Sequence, residues 1–192
     1  MSKYADGHIY HVYNRGAHRH TIFRKPSHYK KCLELLQKYA SRYRVGMLAY
    51  CLMPNHYHLL VRQEEGGSIS RYLQTTFNAF VQYFNVLEGH SGTLFQGPAK
   101  SRTIETDADV LQVVRYVHSN PVLAKLAKTA GEWPFSDCSK WISNTDEPFA
   151  GRFFRDTWFK DGEAYGEFVA AYQPTKEESE TLSKPWHLFE VP

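Results

Sequence analysis

The stretch from Val45 to Arg62 constrains the fold more than any other. Val45–Leu52 (VGMLAYCL) is a continuous apolar and aromatic run suited to a buried central strand, and Met53-Pro54-Asn55 is a turn signal. His56–Arg62 (HYHLLVR) reads as the partner strand. Two strands joined so closely pair antiparallel, so the segment predicts a hairpin at the centre of a sheet.

The flanking segments supply the rest of a layered domain. His8–Arg15 (HIYHVYNR) is rich in aromatic and β-branched residues and stops at Gly16, which predicts a first strand and a polar turn. From His28 to Tyr43 the apolar residues recur at helical spacing with Lys and Arg between them. After the loop Glu64-Glu65-Gly66-Gly67, Ser68 or Ser70 caps a second helix carrying Leu73, Phe77, Phe80, Val81 and Phe84. Ser101–Ile104 suits a fourth strand, and Asp107 or Asp109 caps a helix running towards Ser119. The order strand, helix, strand, strand, helix, strand, helix predicts an α+β sandwich of the ferredoxin-like kind, with helices packed on one face of an antiparallel sheet. Residues 1–130 are expected to form that domain, and 131–192 an extension packing on it. The extension opens Trp-, Pro- and Phe-rich, offers a helix over Gly162–Tyr172, and ends in a Pro, Glu and Lys tail.

Composition narrows the class of partner only slightly. The formal charge of +3, from 23 basic and 20 acidic residues, leaves nucleic-acid binding to local patches. Cys32, Cys51 and Cys138 are odd in number and widely spaced, which matches no cysteine-based zinc pattern and fits reduced thiols in a cytoplasm. No signal-peptide pattern or membrane-length apolar run is visible, so a cytoplasmic protein without membrane attachment is expected.

Two patterns carry chemistry. His56 and His58 sit at i and i+2 of a strand, so both project from one face and can grip one divalent ion while leaving positions open for oxygen ligands. Taken alone, such a pair equally describes the solvent side of a half-buried strand. In the helix around Asp109–Asn120, Tyr116 lies at the edge of the packed side, and Asn120 follows at i+4 on the same face. A phenol with a reference pKa of about 10 attacks a phosphodiester only where positive charge offsets the developing negative charge, so this helix and the histidine pair need each other. Asn120 before Pro121 equally suits the cap of a helix starting at Pro121.

Read together, HVYNRG (His11–Gly16), CLMPNHYHLLV (Cys51–Val61), TLFQG (Thr93–Gly97) and RYVHSNPV (Arg115–Val122) resemble the REP-associated tyrosine transposases, a branch of the HUH endonucleases. The similarity covers about residues 8 to 140. It implies that His56 and His58 bind magnesium or manganese, with Asn120 as third protein ligand, and that Tyr116 is the nucleophile. The implied reaction is nicking and strand transfer on single-stranded DNA beside palindromic hairpins, through a 5′-phosphotyrosine link, by a monomer or homodimer. Asn14, Arg15, His18 and Arg19 lie in the region implied to read the DNA. His20 extends that polar group, and Tyr10 and Tyr13 offer rings for stacking on unpaired bases. The chain departs from the pattern at Gly97-Pro98-Ala99-Lys100, which lacks the arginine expected after Gln-Gly, and Lys100 and Arg102 are the substitutes at hand. Arg71, Gln74, Asn78 and Gln82 form a polar stripe on the second helix that lines DNA or faces water.

Two other readings fit the same elements: a single-stranded nucleic-acid-binding module without chemistry, and a metal-dependent phosphodiesterase that activates water.

Overall fold

The sheet expected from the hairpin forms around it. In the computed structural model, which describes residues 3–143 and 151–173, strands β1 (Ile9–Arg15), β2 (Val45–Met53), β3 (His56–Gln63) and β4 (Lys100–Ile104) lie in the order β2-β3-β1-β4. Every neighbouring pair is antiparallel, which is the split βαβ arrangement of a ferredoxin-like α+β fold. Pro54 and Asn55 alone connect β2 to β3. Their loop is held from outside, because Ile22 N and Phe23 N both donate to the Pro54 carbonyl, and Gly16 N donates to that of Asn55.

The helices are α1 (Pro26–Arg42), α2 (Ile69–Glu88), α3 (Asp107–Leu123), α4 (Cys138–Ile142), α5 (Arg152–Trp158) and α6 (Gly162–Ala170). Helix α2 starts where Ser68 Oγ accepts from Arg71 N and stops at Gly89, whose φ of 58° provides the left-handed cap. Helix α3 is capped by Thr106, which accepts from Asp109 N. Asp107 and Asp109, expected as caps, instead occupy the first turn, where their charge favours the positive end of the helix dipole.

Strand alternation divides the core in two. Tyr10, Val12, Tyr57, Leu59 and Val61 pack under α1 and α2, and Tyr57 stacks on Phe77 with ring centroids 4.3 Å apart. Leu60, Ala49, Cys51 and Met53 face the other way, onto Val110, Val113, Val114 and Val117 of α3. The expected single helical face therefore holds for α1 and α2, while α3 covers the opposite face. The reason lies in Val45–Leu52, which is apolar at consecutive positions and so demands cover on both sides.

Helix α3 continues through Pro121, so Asn120 does not cap a new helix there. Proline lacks only its own N–H, and the ladder resumes at once, with Ala124 N donating to the Asn120 carbonyl. Beyond residue 130, Trp141, Phe154, Tyr165 and Val169 join the α3 layer. The helix expected over Gly162–Tyr172 is α6, and the Pro, Glu and Lys tail lies outside the described residues. Among the described residues no helix is long and apolar enough to cross a membrane.

Candidate active site

β3 delivers both histidines to the α3 side of the sheet. Cross-strand partners share a face, and the register pairs His58 with Tyr13 and Cys51, and His56 with Arg15 and Met53. The imidazole centroids of His56 and His58 are 5.1 Å apart, with ring planes at 85°. Each ring is oriented through Nδ1: that of His56 lies 2.7 Å from Asn55 Oδ1, and that of His58 lies 3.0 Å from Nε2 of His11. His58 Nε2 is buried with no hydrogen-bond partner among the described residues.

α3 brings Tyr116 and Asn120 to the same place. The Tyr116 ring meets His58 edge-on at 5.3 Å and His11 at 6.3 Å. Asn120 Nδ2 donates to the Tyr116 backbone carbonyl at 2.7 Å, and its carboxamide lies near enough to the Tyr116 phenol and to His56 to shift the proton affinity of both. The carboxamide of Asn120 thus stands beside both the tyrosine and the histidine pair. Tyr116 is 5% exposed. Its phenol lies at the boundary between the apolar layer and this polar cluster.

The electrostatics favour neutral imidazoles. Burial lowers the His56 pKa to about 4, with Arg15 adding to the fall and the Asn120 hydrogen bond opposing it. Burial likewise holds His58 well below the usual histidine range, with His56 and His11 adding to it, and takes His11 to about 3 with help from Arg102. Burial raises the Tyr116 phenol above its ordinary value, and the Asn120 hydrogen bond works against that rise. Neutral rings keep a nitrogen lone pair at neutral pH, so two imidazoles and a carboxamide fit one divalent cation as a donor set. Among the described residues there is no group of three His, Cys, Asp or Glu side chains that would hold a metal instead.

A stability prediction follows from these shifts. Folded pKa values below the unfolded 6.5 mean that the unfolded chain binds more protons, so the stability is present above pH 6.5 and lost as pH falls towards 4. Metal-free protein should lose about 2 kcal/mol for each of His11 and His56 between pH 7 and pH 5. Urea unfolding at the two pH values checks this, and His11→Gln should flatten the dependence.

The residues expected to touch DNA separate between the two faces. Arg15 shares the histidine face, and on the edge strand β4 Lys100 pairs with Tyr13 and Arg102 with His11, which places both cations on that face as well. Arg15 Nε donates to Gln96 Oε1, and with His18, Arg19, Thr93 and Gln96 it lines a cleft of about 550 Å³. His18 and Arg19 hold φ of 50° and 61°, a left-handed turn that costs non-glycine residues about 1 kcal/mol each. Asn14 faces the opposite way. It donates to the Gly97 carbonyl at 2.9 Å and lines a second cleft with Tyr57, Gln74, Asn78 and Phe95. Arg71 and Gln74 line a third, with Arg42 and Arg44, and Gln82 is exposed. Tyr10 and Tyr13 are each 5% exposed, and the Tyr10 hydroxyl accepts from Ala5 N, so both rings are packing residues and neither presents a stacking surface.

His11, which orients His58, is the side chain of this cluster that the sequence reading missed. Its signal is the alternation in HIYHVYNR, which becomes informative only once the β1–β3 register is known.

Compared with known proteins, residues 4–120 match the family model described as Transposase IS200 like. A solved structure of a REP-associated tyrosine transposase bound to a REP hairpin is similar over 78% of this chain and 88% of that chain, at 18% identity and a TM-score of 0.62, which shows a shared fold. A putative transposase from Deinococcus radiodurans R1 is similar over 62% of this chain and 95% of that one, at 17% identity and a TM-score of 0.44. No curated protein sequence matches the chain.

Proposed function

The chain belongs to the IS200-like transposase family, and on that premise we propose that it is a metal-dependent single-strand DNA nickase and strand transferase with Tyr116 as its nucleophile. The observation that carries this reading is the convergence of His56, His58, Tyr116 and Asn120 on the α3 side of the sheet. His56, His58 and Asn120 would hold magnesium or manganese, which when bound supplies positive charge to the scissile phosphate.

In the reaction Tyr116 Oη forms a bond to phosphorus, the bond from phosphorus to the 3′ oxygen breaks, and the phenol proton is released. The products are a 5′-phosphotyrosine and a 3′-hydroxyl that takes up a proton. A 3′-hydroxyl attacking the phosphotyrosine reverses the step and joins strands without another energy source. Because the phenol is 5% exposed, its side chain must move outward to meet a DNA phosphate. Asn120 is then left facing the histidine pair.

The substrate is single-stranded DNA beside a hairpin, a reading supported by the REP hairpin bound in the structure that shares this fold. Arg15, His18, Arg19, Lys100 and Arg102 would contact phosphates around the site, with Asn14 reaching the strand from the other face. Residues 1–130 form the catalytic unit, and the remainder supports it. The test is incubation of the full chain with manganese and a hairpin-bearing strand from DNA flanking its gene. A DNA–protein adduct surviving denaturation is expected, and its absence alongside strand cleavage would assign the reaction to water.

Phosphate contacts make a separate prediction. Arg102→Ala should weaken single-strand binding and reduce the slope of log affinity against log salt by about 0.7. Anisotropy titrations between 50 and 200 mM salt would reveal it, and an unchanged slope would remove Arg102 from the interface.

A further inference from the structure

On the side of α3 away from Tyr116 lies a second buried polar cluster that the proposed chemistry does not use. His118 is fully buried; its Nε2 lies 3.0 Å from Asp137 Oδ1 and its Nδ1 lies 2.6 Å from the Tyr165 hydroxyl. The same Asp137 oxygen accepts the backbone N–H of Tyr50 in β2 at 2.7 Å. Tyr50 precedes Cys51, which pairs with His58. A single carboxylate oxygen therefore joins the strand next to the histidine strand to the helix that carries the tyrosine.

Helix geometry keeps this cluster out of the reaction. Residues two apart on an α-helix point about 200° from each other, so His118 projects away from the side shared by Tyr116 and Asn120. A further strap acts beside it: the Arg115 guanidinium lies 4.2 Å from the Phe168 ring centroid in α6 and 5.1 Å from that of Tyr172. Apolar contacts between helix and sheet tolerate small slides. Directional hydrogen bonds from one ring to two elements fix both the rotation and the height of α3.

We propose that His118, clamped between Asp137 and Tyr165, is a positioning residue that sets the register of α3 against the sheet and so aims Tyr116 at the histidine pair. Asp137 and Tyr165, from beyond residue 130, thereby take part in the reaction through α3. This inference rests on the proposed role of Tyr116.

The test uses the full chain in three variants: His118→Gln, Asp137→Asn and Tyr165→Phe, the last removing a single oxygen and so guarding against loss of the fold. Three quantities are read: single-turnover adduct rate, single-strand DNA affinity, and manganese affinity from the free-ion paramagnetic resonance signal. Misplacing a reacting group by about 1 Å costs on the order of 100-fold in rate, so adduct formation should fall about 10- to 100-fold in His118→Gln and less in Tyr165→Phe. DNA affinity should stay within about twofold and manganese affinity should fall by less than the rate, since His56 and His58 stay in place on β3 while Asn120 moves with α3. Adding Asp137→Asn to His118→Gln should cost little more, because the two residues act as one unit. An unchanged adduct rate overturns the inference, as does a fall in DNA affinity that tracks the rate. If the unaltered protein forms no adduct, the nucleophile reading fails instead. Amide exchange then decides the brace, which requires faster exchange across residues 113–120 in Tyr165→Phe with β3 unaffected.

Discussion

Tyr116→Phe is expected to bind a hairpin-bearing single strand as the unaltered protein does and to form no covalent adduct, with strand cleavage falling by at least about 10³-fold. The substitution removes one oxygen and keeps the ring, so the edge-on contact with His58 at 5.3 Å persists and the helix loses no packing. What disappears is the hydroxyl with its polar contact, a loss of about 1 kcal/mol in stability, while the Asn120 bond to the backbone carbonyl remains. A folded, DNA-binding, adduct-free protein separates the nucleophile from every scaffold role. The structure also names the competitor. Tyr13 lies on the same face, with its ring 6.2 Å from His58 and 5% exposed, so an adduct surviving in Tyr116→Phe but absent from Tyr13→Phe would transfer the role to Tyr13. Cleavage surviving in both without any adduct would leave water as the attacking group.

Much of the site could be read in the sequence because it lies in elements whose periodicity is strong. The hairpin declares itself through an apolar run, a Pro-Asn turn and a second apolar strand, and His56 and His58 inherit a common face from strand alternation. Tyr116 and Asn120 share a helix face by their spacing, and the structure joins them through the carboxamide. Pairing between distant strands is where such reading stops. That Asn14 turns away from the histidines while Arg15 faces them depends on which residue of β3 each one meets, and no local signal fixes that register. His11 was passed over for the same reason, being ordinary in its own strand and informative only opposite Leu60 and beside His58.

Other differences have local causes. Thr106 displaced the aspartates as the cap of α3 because Thr and Asp both suit that position, and the helix began one residue sooner than the aspartates alone would suggest. The brace on His118 was invisible because Asp137 comes from a Trp-, Pro- and Phe-rich stretch without periodicity and Tyr165 from a helix whose packing partner no local signal names, and their meeting at one imidazole is a property of the folded chain.

His58→Ala should abolish adduct formation and, unlike Tyr116→Phe, should also remove the measurable manganese site. Of the two histidines, His58 is the better choice for this test. Its Nε2 is buried without a hydrogen-bond partner among the described residues, and its Nδ1 is already oriented by His11. A buried donor or acceptor left unsatisfied costs about 1 to 3 kcal/mol, a cost that a bound cation would relieve. Removing one of two imidazoles from a site completed by a carboxamide should weaken manganese binding by more than about 100-fold, since substituting residues that merely orient a ligand already costs 10- to 100-fold. His11→Gln probes that milder class, because it alters only the partner of His58 Nδ1 at 3.0 Å. The ordering His58→Ala worse than His11→Gln, in both manganese affinity and adduct yield, is the expected result, with EDTA reproducing the first. Equal manganese affinity in His58→Ala and the unaltered protein would move the cation elsewhere. Adduct formation that persists in EDTA would mean that the phenol is activated by the neighbouring arginines and lysine, and the histidine pair would then be a packing feature of the α3 face.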